Sequence, residues 1–384
     1  MVRDKNDKAM DSKARHFVGW LERSGHDDVS LANMEEGQVI PTLVAYLHHI
    51  AFQQGSLKKL TTISPASLIS YLNAAVEWLR SELGLTAQTA SPSGARNKMI
   101  QDIIDQARNW QKPIEKREPY TTRMLRKLYD KVAKAAKTDK EHRLGKEAAV
   151  LDWARLSAFT GSRVGEYAQS VGSSSQASRV PDLPFAGEWA GTPIAFVAED
   201  FTFYTKDSLR LSTIQLLSHP KSAAQLHIRF RYDKSPRNFV IRKFAISGHP
   251  ILCPVRAAIS VCCRALALGS KKGDPLGVAR IPKNKRSDAR TVFLTSNDVV
   301  RIMRRACLDA YPDPASYHHI HAHRIDAHSA RVFAAMLLRN ANVSIEDTAF
   351  RLRWQPESVE HYLRDCSGTI GTLTDAALKG SLVM

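Results

Sequence analysis

The sequence is poor in several features that mark large protein classes. No apolar run approaches the ~18 residues that a membrane-crossing helix needs. Charges are scattered from Met1 through Ser30, where a secretion signal would carry an apolar core. A soluble, intracellular protein is expected. Five cysteines (Cys253, Cys262, Cys263, Cys307 and Cys366), odd in number and without a CxxC pair, make neither a disulfide frame nor a recognisable zinc site. Reduced, mostly buried thiols are the expectation. A P-loop and a paired-carboxylate metal motif are both missing, and no segment repeats along the chain. Acid is scarce relative to base: 55 Lys and Arg face 38 Asp and Glu, a formal net charge of +17. Each cation set against a phosphate releases condensed counterions, so a polyanionic partner is expected, nucleic acid first. A membrane surface would call for a basic amphipathic helix or a polybasic tail, and Ser367 to Met384 holds only Lys379.

What is present is a folding composition. With 43% hydrophobic and 24% charged residues over 384 positions, wholesale disorder is excluded and two domains of about 100–200 residues each are expected. Apolar residues recur at three- and four-residue spacing over Ala14 to Glu22, Val39 to Gln53, Pro65 to Leu83 and Ser93 to Trp110, which predicts a helical bundle. Ser64-Pro65 is a helix start and Gly84 a helix stop. The charged, doubly prolyl stretch Gln111 to Pro119 reads as a linker, which places a helical domain at 1–116 and a second domain at 117–384.

The second domain mixes periods. Gly172 to Gly191 reads as an inserted loop. Strand character is expected at Phe201 to Lys206 and at Leu226 to Tyr232, where apolar and basic residues alternate strictly. Asp233 to Asn238 is a turn and Phe239 begins the return strand. A hairpin with a basic face is predicted, with Arg229, Arg231, Arg237, Arg242 and Lys243 as DNA-facing candidates. Lys271 to Arg305 adds ten basic residues against three acids. The fold class expected is mainly α with a small antiparallel β-sheet.

Three segments carry the chemistry. Thr160-Gly161-Ser162-Arg163-Val164-Gly165-Glu166 closes one predicted helix. His328-Ser329-Ala330-Arg331 opens another, with His328 and Arg331 on one face of a turn. Trp354-Gln355-Pro356 leads into a short helix bearing Tyr362, and Ser344 with Asp347 forms a capping box ahead of it. Taken singly, these are an ion pair, a polar patch and core aromatics. In this order and spacing the chain resembles the tyrosine recombinases, the site-specific DNA recombinases and integrases. His328-Ser329-Ala330-Arg331-Val332 and Val343-Ser344-Ile345 are close to the Cre pattern and similar to eukaryotic Crypton-type enzymes. The resemblance spans about Arg117 to Cys366. The helical first domain is similar to the family's core-binding domain in architecture and position.

The resemblance implies an α+β catalytic domain in which Arg163, supported by Glu166, and Arg331 grip the scissile phosphate. Tyr362 would attack phosphorus to leave a 3′-phosphotyrosyl bond. His328 would assist proton transfer, Trp354 would hydrogen-bond the phosphate, and a lysine of the small sheet would protonate the leaving 5′-oxygen. Lys234 is the first choice for that lysine, ahead of Lys206 and Lys221. No metal and no cofactor are implied. The partners implied are double-stranded DNA and a homotetramer on paired sites, with Leu373, Ala376, Ala377 and Leu378 packing into a neighbour. The implied location is DNA-associated: the nucleus in a eukaryote, otherwise cytoplasm or nucleoid. In two places the chain departs from the family: Phe333 stands where Cre-like sequences have glycine, and Leu352-Arg353 stand where glycines are usual. The competing readings are a non-cutting DNA-binding descendant, a type IB topoisomerase-like enzyme, and a metal-dependent nuclease built on His318, His319, His321 and His323. That histidine cluster lacks local Asp, Glu or Cys partners and suits phosphate contacts.

Overall fold

The computed structural model describes residues 5–26, 33–53, 64–87, 89–90, 95–110, 117–169, 178–180, 190–231, 240–283, 288–315 and 319–360. The chain divides into two units, Met1–Glu115 and Lys116–Met384. It is mainly helical with a small antiparallel sheet.

In the first unit the helices are α1 (Lys5–Arg23), α2 (Glu36–His48), α3 (Pro65–Leu83) and α4 (Lys98–Trp110), with one π turn at His49–Gln53 extending α2. Local signals place the ends of α3. The Ser67 amide donates to Ser64 Oγ at 3.2 Å, Pro65 occupies the first turn, and Gly84 closes the helix in the left-handed region at φ 68°. The apolar stripes meet in a core of Phe17, Leu43, Tyr46, Leu47, Leu68, Leu79, Ile100 and Ile104. Each such side chain contributes roughly 1.5–3 kcal/mol by leaving water. The sequence places the start of α4 near Ser93, but the helix begins at Lys98, and residues 91–94 lie outside the described set.

The second unit is built around α6 (Lys146–Thr160), a helix buried on nearly every side. It packs against α5 (Thr122–Thr138), α8 (Pro254–Ala267), α9 (Ser296–Ala310) and α10 (Ser329–Asn340). Two charges ride inside it, which requires partners in place. Asp152 accepts from Arg155 at 3.0 Å and from Arg264 of α8, and Arg155 Nε donates to the Ile251 carbonyl at 2.6 Å.

Strands β1 (Phe201–Tyr204), β2 (Gln225–Phe230) and β3 (Val240–Ala245) form an antiparallel sheet in that order. The six-residue helix α7 (Thr213–Ser218) lies between β1 and β2. The two-residue period sorts the side chains as the alternation predicts. Leu226, Ile228 and Phe230 turn inward with Phe201, Phe203 and Phe244, while His227, Arg229 and Lys243 share the other face. Beneath the sheet, Trp153 stacks on Tyr167 (centroids 4.9 Å apart) and on Phe196 (6.0 Å), and Phe196 meets Phe230 edge-on. A second hairpin, β4 (Val278–Ile281) with β5 (Arg290–Phe293), was not legible in the sequence. Its strands are four residues long and sit inside a basic stretch. Helices α11 (Ile345–Leu352) and α12 (Pro356–Glu360) complete the described unit.

Candidate active site

The site assembles where α6 ends. Gly161 terminates that helix at φ 58°, its amide donating to the Ser157 carbonyl at 2.9 Å. A Cβ at this position would lie 3.0 Å from Leu352 Cδ2 and 3.4 Å from the Trp354 ring. Glycine therefore permits both the left-handed turn and the close approach of the α11–α12 connection.

The Gly161 carbonyl accepts from Arg331 Nη1 at 2.9 Å. Arg331 leaves the first turn of α10 and is buried, its guanidinium 4.2 Å from the centre of the Trp354 ring. One face of this cation is thus set by an indole and one nitrogen by a carbonyl, an arrangement that suits a rigid fork better than a flexible ammonium. Trp354 is buried as well, with its amide donating to the Ala349 carbonyl at 2.8 Å.

Arg163 opens the 3₁₀ turn Val164–Glu166. Its amide donates to Glu166 Oε2 at 3.1 Å, and its partly exposed guanidinium stands 3.9 Å from Glu166 Oε1. Glu166 itself is buried, which a surface ion pair would not be. Its second cation is Arg353, whose Nη2 donates to both carboxylate oxygens at 3.1 and 3.0 Å.

Sequence reasoning passed over Arg353 and noted it only as bulk where glycine is usual. It adopts φ 61°, a conformation costing an ordinary residue about 1–2 kcal/mol. Its side chain is 1% exposed and lies 3.5 Å over the Phe230 ring. No sequence signal marks this role, since the left-handed cap that aims Arg353 inward is a property of the fold.

His328 precedes α10 and is solvent-exposed at its edge. Its amide donates to Asp326 Oδ1 at 2.7 Å, and the Asp326 amide donates to Ser329 Oγ at 2.9 Å. Asp326 also pairs with Arg117. Partial burial, then the Arg117 charge, with smaller contributions from Arg331 and Arg163, hold the His328 pKa below 6.5, against the opposing pull of Asp326. Arg163, Glu166, His328, Arg331 and Trp354 are therefore brought together, whereas Lys234, Arg237 and Tyr362 lie outside the described residues. Lys206 and Lys221 are exposed, one following β1 and the other in the turn Pro220–Ser222.

The basic hairpin departs from expectation at two positions. Arg231 is not on an open face: it is buried, donating to Asp200 at 2.9 Å and to the Ala195 carbonyl at 2.9 Å. The buried Asp200 carboxylate, whose pKa is raised by burial, draws it in. Arg242 falls in the opposite register to Lys243, stacks 4.2 Å over Phe350 and donates to that residue's carbonyl at 3.1 Å. Arg229, partly exposed and 3.5 Å from Asp200, and the exposed Lys243 share the outer face. The rings of His319 and His321 lie 5.0 Å apart and those of His321 and His323 5.4 Å apart. Among the described residues, no group of three or more His, Cys, Asp or Glu is placed to hold a metal ion. Nor is any described helix long and apolar enough to cross a membrane.

Comparison with known proteins gives a likeness at the level of structure. No family model matches the chain, and no curated protein matches it. The solved structures that are similar include two recombinases. One is the XerH site-specific recombinase bound to its difH substrate in a pre-cleavage complex, at 14% identity and a TM-score of 0.42, covering 94% of this chain and 75% of that one. The other is the XerA recombinase, at 13% identity and a TM-score of 0.36, covering 96% of this chain and 98% of that one.

Proposed function

We propose that this protein is a site-specific DNA recombinase that cuts and rejoins duplex DNA through a phosphotyrosyl intermediate. The observation that supports it is the convergence of Arg331 and Arg163 at the end of α6, with His328 beside them. Two guanidiniums, always charged and forked, suit a pentacoordinate phosphorus whose equatorial oxygens gain negative charge.

In this reading Arg163 and Arg331 bind the non-bridging oxygens and Trp354 adds its indole N–H. The Tyr362 hydroxyl, with a reference pKa near ~10, is a weak nucleophile at neutral pH and needs both positive charge and a proton acceptor. His328, whose pKa is lowered by burial and by the neighbouring arginines, takes that proton. The Tyr362 Oη–P bond forms as the P–O5′ bond breaks, and the leaving oxygen takes a proton from a lysine, with Lys234 the first choice. Attack by a 5′-hydroxyl reverses these steps and releases Tyr362. One phosphodiester is exchanged for another, so the chemistry calls for neither a metal nor a nucleotide. The DNA substrate is double-stranded, with Arg229, Arg237 and Lys243 as backbone contacts, and two sites are held by a tetramer of this chain.

The test is covalent trapping. Nicked duplexes drawn from the sequences flanking the gene are incubated with protein and resolved under denaturing conditions. An adduct formed by wild type and absent from Tyr362→Phe is expected. Retardation on native gels without an adduct on any duplex would replace this reading with that of a DNA-binding protein that does not cut.

A further inference from the structure

Arg353 occupies a place where an arginine is awkward twice over. Its backbone is left-handed and its charge is buried. Both are held by specific partners: the Phe230 ring beneath the guanidinium and both oxygens of Glu166 ahead of it. Glu166 is thereby shared. From the interior Arg353 approaches its carboxylate to 3.0 Å, while on the solvent side the Arg163 guanidinium stands back at 3.9 Å. A carboxylate with one buried cation against it has most of its charge compensated and exerts less pull on a second. Without Arg353, Glu166 would be a buried, singly charged acid with Arg163 as the nearby cation, and the pair would close into a tight, mutually neutralising bridge.

We infer that Arg353 is a positioning residue: by taking up the Glu166 carboxylate from inside, it weakens the pull of that carboxylate on Arg163, so that Glu166 competes less with an incoming phosphate for the Arg163 guanidinium. The inference rests on the reading of Arg163 as a phosphate ligand and deepens it. Arg353 does not touch the substrate. It acts through Glu166, and Trp354, the next residue, is carried on the same left-handed turn and lies against Arg331.

The charge argument makes a prediction that a purely structural role does not. Arg353→Gly keeps the left-handed backbone comfortable and removes the guanidinium. Covalent adduct formation in a single turnover is expected to slow by about tenfold or more, since one phosphate ligand is weakened rather than deleted. Adding Glu166→Gln to that variant removes the carboxylate that captures Arg163, and should recover a large part of the lost rate. A structural defect would instead be deepened by the second change.

A binding measurement runs in parallel, because it needs no cleavage: the rise in melting temperature caused by inorganic phosphate. It should be present in wild type, reduced in Arg353→Gly and restored in the double variant. If wild type forms no adduct but this pattern of phosphate protection holds, the recombinase reading fails and the role of Arg353 stands. If phosphate protection is the same in all three proteins, or the double variant is worse than the single one in both measurements, the inference about Arg353 is wrong. Should Arg353→Gly fail to fold, Arg353→Met, of similar volume and without charge, is judged by the same two criteria.

Discussion

Burial first, and then the charges of Arg117, Arg331 and Arg163, disfavour a proton on His328, with only Asp326 in its favour. The folded-state pKa is therefore below the 6.5 of an unfolded histidine. The unfolded chain binds more protons than the folded one between those two values, so stability is complete above 6.5 and falls as the pH drops through that window. Arg117→Ala removes the largest charge contribution and is expected to raise the His328 pKa toward 6.5. The acid limb of the cleavage-rate profile should move to higher pH with it, and an NMR titration of the imidazole checks the shift independently. An unmoved titration would assign the depression to burial and the two remaining arginines. His328, Arg331, Arg163, Glu166 and Trp354 could be singled out from spacing and order. Arg353 could not, because its role depends on a left-handed cap aiming a long side chain inward, and no periodicity encodes that.

At the scale of elements, the end of α6 matters more than its length. Gly161 joins a left-handed turn to a 3.0 Å approach by Leu352, and its carbonyl holds Arg331. Gly161→Ala should destabilise the protein by about 1–2 kcal/mol from the backbone alone. It should also lower the rate of adduct formation further than that loss of stability explains, because a Cβ there presses on Leu352 and on Trp354, the ring on which Arg331 rests. Thermal melting set against single-turnover cleavage separates the two effects. Capping signals were readable in advance: the Ser67 amide meets Ser64 Oγ at 3.2 Å and the Asp347 amide meets Ser344 Oγ at 3.0 Å. The alternation of β2 was readable too. The destination of its arginines was not, since Arg231 is drawn inward by Asp200, an acid some thirty positions away with nothing in the sequence to pair them.

For the molecule as a whole, the buried triad of Asp152, Arg155 and Arg264 ties α6 to α8 within the second unit. Asp152→Ala strands two buried guanidiniums, and a loss of about 3–5 kcal/mol is expected. Denaturant unfolding followed by circular dichroism would register it, and a loss under 1 kcal/mol would mean that water reaches the site. The sequence by itself determined the expectation of a polyanionic partner, through a charge of +17, and the helical character with its small antiparallel sheet. It also determined the order and spacing of Arg163, His328, Arg331 and Trp354, because composition, period and spacing are local properties of a chain. Only the tertiary structure decided which cations are spent on interior carboxylates and which still face outward. Burial is set by what packs around a side chain, so Arg231 and Arg353 pair inside while Arg163 stays partly exposed at the edge of Glu166.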